Sequence, residues 1–482
     1  MTEEAAIGIS AKKESNFSEW YTDVLIKSEF IDYSAVSGML VFRPAAYFAW
    51  QTAASAVDKL LSADGVENTY FPLFIPEHLL KKEAEHFKGF TPEVAWVTEG
   101  GSSKFEERLA VRPTSETIMY VSFAKWIRSW RDLPMRYNQW NSVVRWEFKH
   151  PTPFIRSREF LWNEGHSVFA SREEAEKERD FVLGTYQKVL KEYFALPGIP
   201  GIKSDSEKFA GALHSYSIEQ LMPDGYAIQG PDFHNDGQNF AKAFDIKFLN
   251  KEGKYEYAWQ NTYAISTREL GIMVATHGDD KGLVLPPKLA RWQVVIVPIF
   301  RKGQENKILD YANEIKSILS GFRVKLDSSP DYSPGYKFNE YELKGVPVRI
   351  EIGAKEAEHG TVTCVRRDNG EKSSASKADV AKHINMLLNA LHENLYEKAE
   401  KFIKMNTHVV SDYDALKKVL KEKKGIVQAP WCGDSKCEAK IKEETGAKIT
   451  NIPFDQSILK PDATCVYCGK KAAYMANFAK SY

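Results

Sequence analysis

Cysteine is scarce in this sequence, and so is any surplus of charge. Five cysteines occur among 482 residues, and 65 basic side chains are balanced by 65 acidic ones. With a formal net charge of zero, no global attraction to a polyanion exists, so any nucleic-acid surface must be a local basic patch. Long apolar runs are missing too: none approaches the roughly 18 residues that a bilayer-spanning helix needs. The start, Met1-Thr-Glu-Glu, is acidic and lacks the basic-then-apolar pattern of a secretory signal. A cytoplasmic protein without a membrane segment is therefore expected. No internal repeat and no long low-complexity linker is present, which sets repeat architectures aside.

What is present is ordinary for a globular protein: 43% hydrophobic, 12% aromatic and 27% charged residues. The length is too great for one core, and roughly two to four domains are expected. Arg43 to Leu61 carries apolar residues at helical spacing and then meets Gly65, followed by a strand-like Val66–Phe71 that Pro72 ends. Gln139–Lys149 and Ser157–Phe169 read as two strands of a hairpin. Ser171 with Glu174 forms a capping box that opens a helix running to Leu196-Pro-Gly. From Arg291 the pattern changes to alternating strands (Trp292–Phe300, Phe322–Asp327, Val346–Ile352, Thr361–Arg367) and helices, one of them Glu305–Leu319. That alternation predicts a small α/β domain with a mostly parallel sheet. A long helix, Lys377–Met405, leads to a third unit. Pro286-Pro287 is the first boundary, because two prolines continue neither regular structure. The expected units are 1–286, 287–405 and 406–482.

Strand alternation puts Arg145 and Glu147 on one face of the first hairpin strand, and Arg158, Phe160, Trp162, Glu164 and His166 on one face of the second. Such a face is either a polar pocket floor or a solvated surface laced with salt bridges. In the third unit, Cys432-Gly-Asp-Ser-Lys-Cys437 and Cys465-Val-Tyr-Cys468 have the spacing of a tetrahedral zinc site. Four thiolates leave no open position, so the metal would be structural, with reduced free thiols as the alternative. Cys364 falls in an expected strand and belongs to a core.

Arg-x-Glu, a loop, a further Arg and then Arg-Glu-Phe resembles the second conserved motif of class II aminoacyl-tRNA synthetases. The longer run from Arg145-Trp-Glu-Phe-Lys-His to Leu-Trp-x-Glu-Gly-His166 resembles the prolyl-tRNA synthetases of the archaeal/eukaryotic type. The helix and strand ending at Pro72 are similar to motif 1, which packs at a dimer interface in that family. Arg112-Pro-Thr-Ser-Glu-Thr is similar to its amino-acid-binding segment. Ala264-Ile-Ser-Thr-Arg-Glu-Leu-Gly with His277-Gly-Asp-Asp-Lys-Gly is similar to motif 3. The likeness runs from about Phe17 to Tyr482.

The resemblance implies an α/β and α+β multidomain homodimer: an antiparallel catalytic sheet with helices, an α/β anticodon-binding domain and a zinc-bearing tail. It implies a ligase that joins L-proline to tRNA(Pro) with ATP, using magnesium on the phosphates. Arg145 would lie between the α-phosphate and the proline carboxylate, since a guanidinium holds both in a bidentate fork. Glu147 belongs to the same cluster. Arg156 would reach the outer phosphates, with Ser157 near the adenine, and Phe160 and Arg268 would sandwich that ring. Gln229 matches a position near phosphates and metal, and Ser266 one near the adenosine. Thr114 and Glu116 match the ammonium-binding positions, although Thr114 also reads as a helix N-cap with Glu116 in the first turn. Trp162, Glu164, His166 and His234 would frame the proline ring.

Asp232 departs from the family pattern, standing where a hydroxyl normally contacts the nucleotide. It could repel phosphate, recruit magnesium or bind the proline ammonium. Glu342, Arg349 and Lys355 match positions that read the two guanines of a proline anticodon. Tyr482 would fold back toward the active site. The stretch Ser171 to Tyr257 leaves no room for the inserted editing domain of bacterial-type relatives, only for one helix, a strand or two and loops. Two rivals remain: a non-catalytic paralogue, which the intact arginines disfavour, and a synthetase for another amino acid such as threonine, which the Trp162-x-Glu-Gly-His run disfavours.

Overall fold

The computed structural model describes residues 8–86, 93–147, 150–422 and 424–482. Met1-Thr-Glu-Glu, and Phe148 and Lys149 at the end of the expected hairpin strand, lie outside them.

The hairpin lies near one edge of the large sheet. Met135–Val144 and Glu159–Phe169 pair antiparallel over ten residue pairs, from Met135 opposite Val168 to Val144 opposite Glu159. The first strand ends at Val144, sooner than the alternation of residues 145–147 suggests. Arg145 N–H still donates to Arg158 C=O at 2.8 Å, so Arg145 continues the direction of the strand without forming its next regular pair.

Antiparallel neighbours follow on the far side: Trp259–Ala264, Ala227–Gly237, His214–Leu221 and Ile199–Ile202. Glycine at 165 is required by this packing, because a Cβ there would sit 1.9 Å from the Tyr263 ring. The expected strand Val66–Phe71 shrinks to Glu67–Asn68, which pairs parallel with Tyr137 and Asn138 at the sheet edge. Beyond it, Phe71 N–H donates to the Gln139 side chain at 2.8 Å and leaves the ladder. The preceding helix spans Pro44–Ala63, with proline at its first turn, where a missing N–H costs nothing.

The capping box at Ser171 and Glu174 is present and opens the helix Arg172–Val189, which a π-helical turn, Leu190–Phe194, closes before Leu196. The stretch to Tyr257 holds more than one helix and two strands. It contains that helix, a second at Asn239–Phe244, and the strands Ile199–Ile202, His214–Leu221, Ala227–Gly237, Lys247–Leu249 and Tyr255–Tyr257.

The middle unit is a five-stranded sheet in the order Val324–Leu326, Val294–Pro298, Val348–Ile352, Thr361–Arg366, Lys372–Ser376. Only the first two pairings are parallel, and the last two are antiparallel. The expectation of a mostly parallel sheet is therefore corrected. Thr361–Arg366 and Lys372–Ser376 are joined directly as a hairpin, and no crossover helix separates them. Cys364 is fully buried in this sheet's core. The helices Glu305–Ile318 and Val380–Met405 cover the sheet.

The last unit is not detached. Its strands Thr407–Val409, Ile426–Trp431, Tyr474–Ala479 and Lys448–Pro453 join the catalytic sheet where Ile452 and Pro453 pair with Ile202 and Gly201, giving eleven strands in all. No helix among the described residues is long and apolar enough to cross a membrane.

Candidate active site and thiolate cluster

The hairpin and its neighbours wall a cavity of about 460 Å³. Of the residues singled out above, Thr114, Glu116, Arg145, Glu147, Trp162, Glu164, His166, Gln229, Asp232 and His234 line it. Most of the face is thus a pocket wall; Arg158 and Phe160 do not line the cavity, and Arg158 donates to the Ser37 carbonyl at 3.0 Å.

Arg145 Nε donates to the Pro113 carbonyl at 3.0 Å, and its guanidinium lies 5.4 Å from the Phe160 ring and 5.2 Å from the Trp162 ring. Those two rings meet edge to face at 5.4 Å, and Trp162 Nε1 donates to Asn141 at 2.8 Å. The arginine is therefore held by one carbonyl and two ring faces, which suits a group that must meet an anion in a fixed geometry.

The acids at the pocket floor play different parts. Glu164 is only 3% exposed and accepts hydrogen bonds at Oε2 from Ser115 Oγ at 2.5 Å, Asn141 Nδ2 at 2.7 Å and Gln139 Nε2 at 3.0 Å. Its other oxygen faces Thr114 Oγ1 at 3.2 Å. Three protein donors converge on one oxygen of this carboxylate, so it anchors the floor. Glu116 receives the Thr114 hydroxyl and also lines the cavity. The helix there starts at Glu116 with Ser115 as N-cap, so Thr114 is not the cap.

His166 Nδ1 lies 3.3 Å from Tyr120 Oη. His234 stacks on Phe209 with centroids 4.8 Å apart, and its Nδ1 is 2.8 Å from Ser215 Oγ. Asp232 accepts from Gln229 Nε2 at 2.8 Å and lies 3.6 Å from His234 Nε2.

The remaining nucleotide-side candidates, Arg156, Ser157, Phe160, Ser266 and Arg268, are not among the residues that line the cavity. Arg268 opens the helix Arg268–His277 and donates from Nη1 to the Gln229 carbonyl at 3.1 Å. Ser266 Oγ accepts from the Arg268 N–H at 3.3 Å. Ser157 is buried, receiving the Phe154 N–H at 3.1 Å, and Arg156 is exposed in the same loop. Beside Arg268, Glu269 is buried, and desolvation pushes its carboxyl up to about 7 although Gln220 Nε2 donates to it at 2.7 Å. Packing is tight here: a Cβ on Gly230 would meet Gln220 Nε2 at 2.6 Å and Glu269 Oε1 at 3.0 Å.

Further residues line the cavity that the sequence did not single out, among them Lys203, Glu207, Phe209, Ser215 and Tyr216. Gln139 and Asn141 were legible in principle, because the hairpin register sets them opposite Glu164 and Trp162.

Two other sites lie apart. The Sγ atoms of Cys432, Cys437, Cys465 and Cys468 all lie within 4.8 Å of one another. Cys432 is 3.7 Å from both Cys437 and Cys468, close to the edge of about 3.8 Å that four sulfurs at zinc-bond length would make. The donor set therefore fits a tetrahedral thiophilic ion. The Lys470 N–H holds the Cys468 thiol down at about 7, whereas burial pushes Cys437 and Cys432 up.

In the middle unit, Glu342 and Arg349 share a small cleft with Arg366 and Arg367. Arg349 Nη2 pairs with Glu351 at 2.8 Å and stacks 4.2 Å from Phe338, and Glu342 pairs with Lys281 at 2.9 Å. Lys355 is exposed on the helix Ala354–His359, outside that cleft. Tyr482 does fold back: its N–H donates to Ala227 C=O at 3.1 Å, its hydroxyl to Asp224, and its ring packs on the catalytic core.

Known proteins match all three units. The family model described as "tRNA synthetase class II core domain (G, H, P, S and T)" matches residues 96–277. "Anticodon binding domain" matches 293–387, and "Prolyl-tRNA synthetase, C-terminal" matches 413–482. Proline--tRNA ligase 2 of a Bacillus cereus strain is 46% identical over 98% of this chain and 98% of its own. Proline--tRNA ligase 2 of Clostridioides difficile (strain 630) is 47% identical over 98% of this chain and 97% of its own. Among solved structures, prolyl-tRNA synthetase from Cryptosporidium parvum, complexed with halofuginone and AMPPNP, superposes with a TM-score of 0.95 at 44% identity, covering 99% of this chain and 98% of that one.

Proposed function

Because this chain belongs to the class II prolyl-tRNA synthetases, we infer that its cavity activates L-proline with ATP and passes the prolyl group to the 3′ end of tRNA(Pro). A proline carboxylate oxygen attacks the α-phosphorus, pyrophosphate leaves, and a terminal hydroxyl of the tRNA then takes the acyl group and releases AMP. No protein nucleophile is needed, and catalysis is positioning plus electrostatic stabilisation. The observation that carries this reading is one cavity lined together by Arg145, Thr114, Glu116, Trp162, His166 and His234.

In this reading Arg145 bridges the α-phosphate and the proline carboxylate, with Glu147 beside it on the cavity wall. Arg156 serves the outer phosphates, Phe160 and Arg268 the adenine, and Ser157 and Ser266 its surroundings. Thr114 and Glu116 take the ammonium, while Trp162, His166 and His234 frame the ring over the Glu164 anchor. Asp232 is assigned to the proline end, which its 3.6 Å separation from His234 favours. Magnesium bound with the nucleotide would screen phosphate charge; Gln229 and Glu147 offer the oxygen donors that suit a hard cation.

Glu342 and Arg349 read guanine edges in the second unit, with Lys355 at its margin. Zinc, held by the four cysteines, braces the third unit. The units are divided at 286/287 and 405/406, divisions that agree with the matched ranges. The archaeal/eukaryotic subtype is favoured by the four-cysteine tail and by a Ser171–Tyr257 stretch that holds two helices and five strands, three of these in the catalytic sheet and two in a small hairpin of their own. Without an inserted editing unit, mischarged Ala-tRNA(Pro) would not be hydrolysed by this chain. Homodimerisation through the motif 1 region is supported by exposed Tyr47, Tyr70, Leu73 and Phe74 there. A cytoplasmic location agrees with thiolates that need a reducing compartment.

The test is ATP–pyrophosphate exchange driven by each amino acid in turn. Exchange with proline far above that with threonine supports the reading. A preference for threonine, or no exchange at all, would replace it with one of the rivals.

A further inference from the structure

One wall of the cavity is fastened from outside the catalytic unit. Lys203, Glu207, Phe209 and Ser215 line the cavity, and three of them sit in a short segment that the C-terminal unit grips at several points. The buried Lys203 Nζ bonds Glu219 Oε1 at 2.6 Å and the Thr450 carbonyl at 2.8 Å. Ser204 Oγ donates to Glu438 Oε1 at 2.7 Å, one residue beyond Cys437. Glu207, with a side chain only 14% exposed, receives two ammonium groups, Lys448 at 2.7 Å and Lys442 at 3.1 Å.

From Glu207 the contacts run straight to the pocket. Two residues on, the Phe209 ring stacks on His234, and the Phe209 N–H donates to Ser215 Oγ at 2.9 Å. That same hydroxyl lies 2.8 Å from His234 Nδ1. The ring orientation of His234 therefore depends on where Phe209 and Ser215 stand. Phe209 in turn sits on a segment that has no strand or helix of its own to hold it. Without its two lysines, Glu207 would be a largely buried carboxylate at the cavity wall with no counter-charge, and it would move toward water.

We propose that Lys442 and Lys448 are positioning residues for amino-acid binding: through Glu207 they hold the 203–209 wall, and with it Phe209 and His234, in the geometry that receives proline. The proposal rests on the reading of the cavity as a proline pocket. It gives the C-terminal unit a part in substrate recognition as well as in stability.

The experiment compares the Lys442→Met/Lys448→Met double variant with the unsubstituted chain in ATP–pyrophosphate exchange, titrating proline and ATP separately. The KM for proline is expected to rise roughly fivefold to tenfold, the scale of losing two partly exposed ion pairs, while kcat and the KM for ATP stay within about twofold. Lys448→Arg keeps the ion pair and restores the KM for proline when it replaces Lys448→Met. Glu207→Gln gives the same shift as the double variant, and combining the two adds nothing, because they break one linkage. Metal content and unfolding midpoint, measured on each variant, show whether the C-terminal unit is intact. Where a lysine variant loses that unit, Glu207→Gln alone decides. An unchanged KM for proline, a parallel rise in both KM values, or additive effects would overturn the proposal. Failure of the unsubstituted chain to catalyse proline-dependent exchange is a separate result, and it would overturn the reading of the cavity itself.

Discussion

Arg145 is the residue on which the chemistry depends most, because two anions meet where it stands. Its Nε is committed to the Pro113 carbonyl, and two aromatic rings fix its plane. Arg145→Ala removes the charge together with that preorganisation. By the scale of a lost oxyanion donor it should cost about 3–4 kcal/mol of transition-state stabilisation. The check is single-turnover adenylate formation, and a rate within a few-fold of the unsubstituted enzyme would mean that another group does this work.

Glu269, one residue from Arg268, makes a different demand. Burial raises its carboxyl from 4.5 to about 7, so between those values the folded chain holds a proton that the unfolded chain has lost. Stability from this group is greatest below pH 4.5 and declines as pH rises through 7, by up to about 3 kcal/mol. Glu269→Gln should therefore match the parent near pH 4 and unfold at a higher temperature near pH 8. Equal midpoints at pH 8 would show that the carboxylate is not isolated from water. His277 acts in the opposite direction: burial lowers it to about 3, and its contribution is present above pH 6.5 and lost as pH falls.

Among the elements, the hairpin and the thiolate cluster show how local order is set. Alternation correctly placed Trp162, Glu164 and His166 on the pocket side, since the strand Glu159–Phe169 is regular throughout. At residues 145–147 Arg145 and Glu147 do share the cavity side, but the strand was read too long, because the chain stays extended after its strand has ended. Side-chain period does not report whether a partner strand is present. The cysteine spacing was legible for a different reason: a metal site constrains sequence separation as tightly as space. One zinc per chain is predicted. Cys432→Ser or Cys468→Ser should bring elemental zinc below about a tenth of an equivalent and lower the unfolding midpoint, since binding energy here is folding energy. Stoichiometric zinc in either variant would mean that these sulfurs are not ligands.

At the scale of the whole molecule, the units are joined by seams rather than linkers. Arg367 spans the first seam, giving Asp279 two bonds of 2.7 and 2.6 Å and the Glu342 carbonyl another of 2.7 Å. Glu342 also meets Lys281 of the catalytic unit, so its replacement would disturb both recognition and the seam. Arg349 pairs within its own unit, and Arg349→Ala is the cleaner probe. It should weaken charging of tRNA(Pro) by about 1–3 kcal/mol, the worth of a base-edge contact, and leave pyrophosphate exchange nearly intact. Equal losses in both assays would assign Arg349 to the fold.

The amino-acid sequence by itself determined which chemistry is available. The arginines, acids, aromatics and cysteines stand at separations that strand period and metal geometry make readable along the chain, and the order of the three units follows from changes of pattern and from Pro286-Pro287. Only the tertiary structure decided which acids are anchors and which line the pocket free of such a cage. The side chains around Glu164 come from two separate segments, Thr114 with Ser115 and Gln139 with Asn141. Only the structure, too, joined the C-terminal strands to the catalytic sheet through Ile452 and Ile202 and brought Lys442 and Lys448 to Glu207. Those partners lie more than two hundred residues apart. Nothing in local period or spacing encodes such a meeting, because it arises from the packing of whole elements against one another.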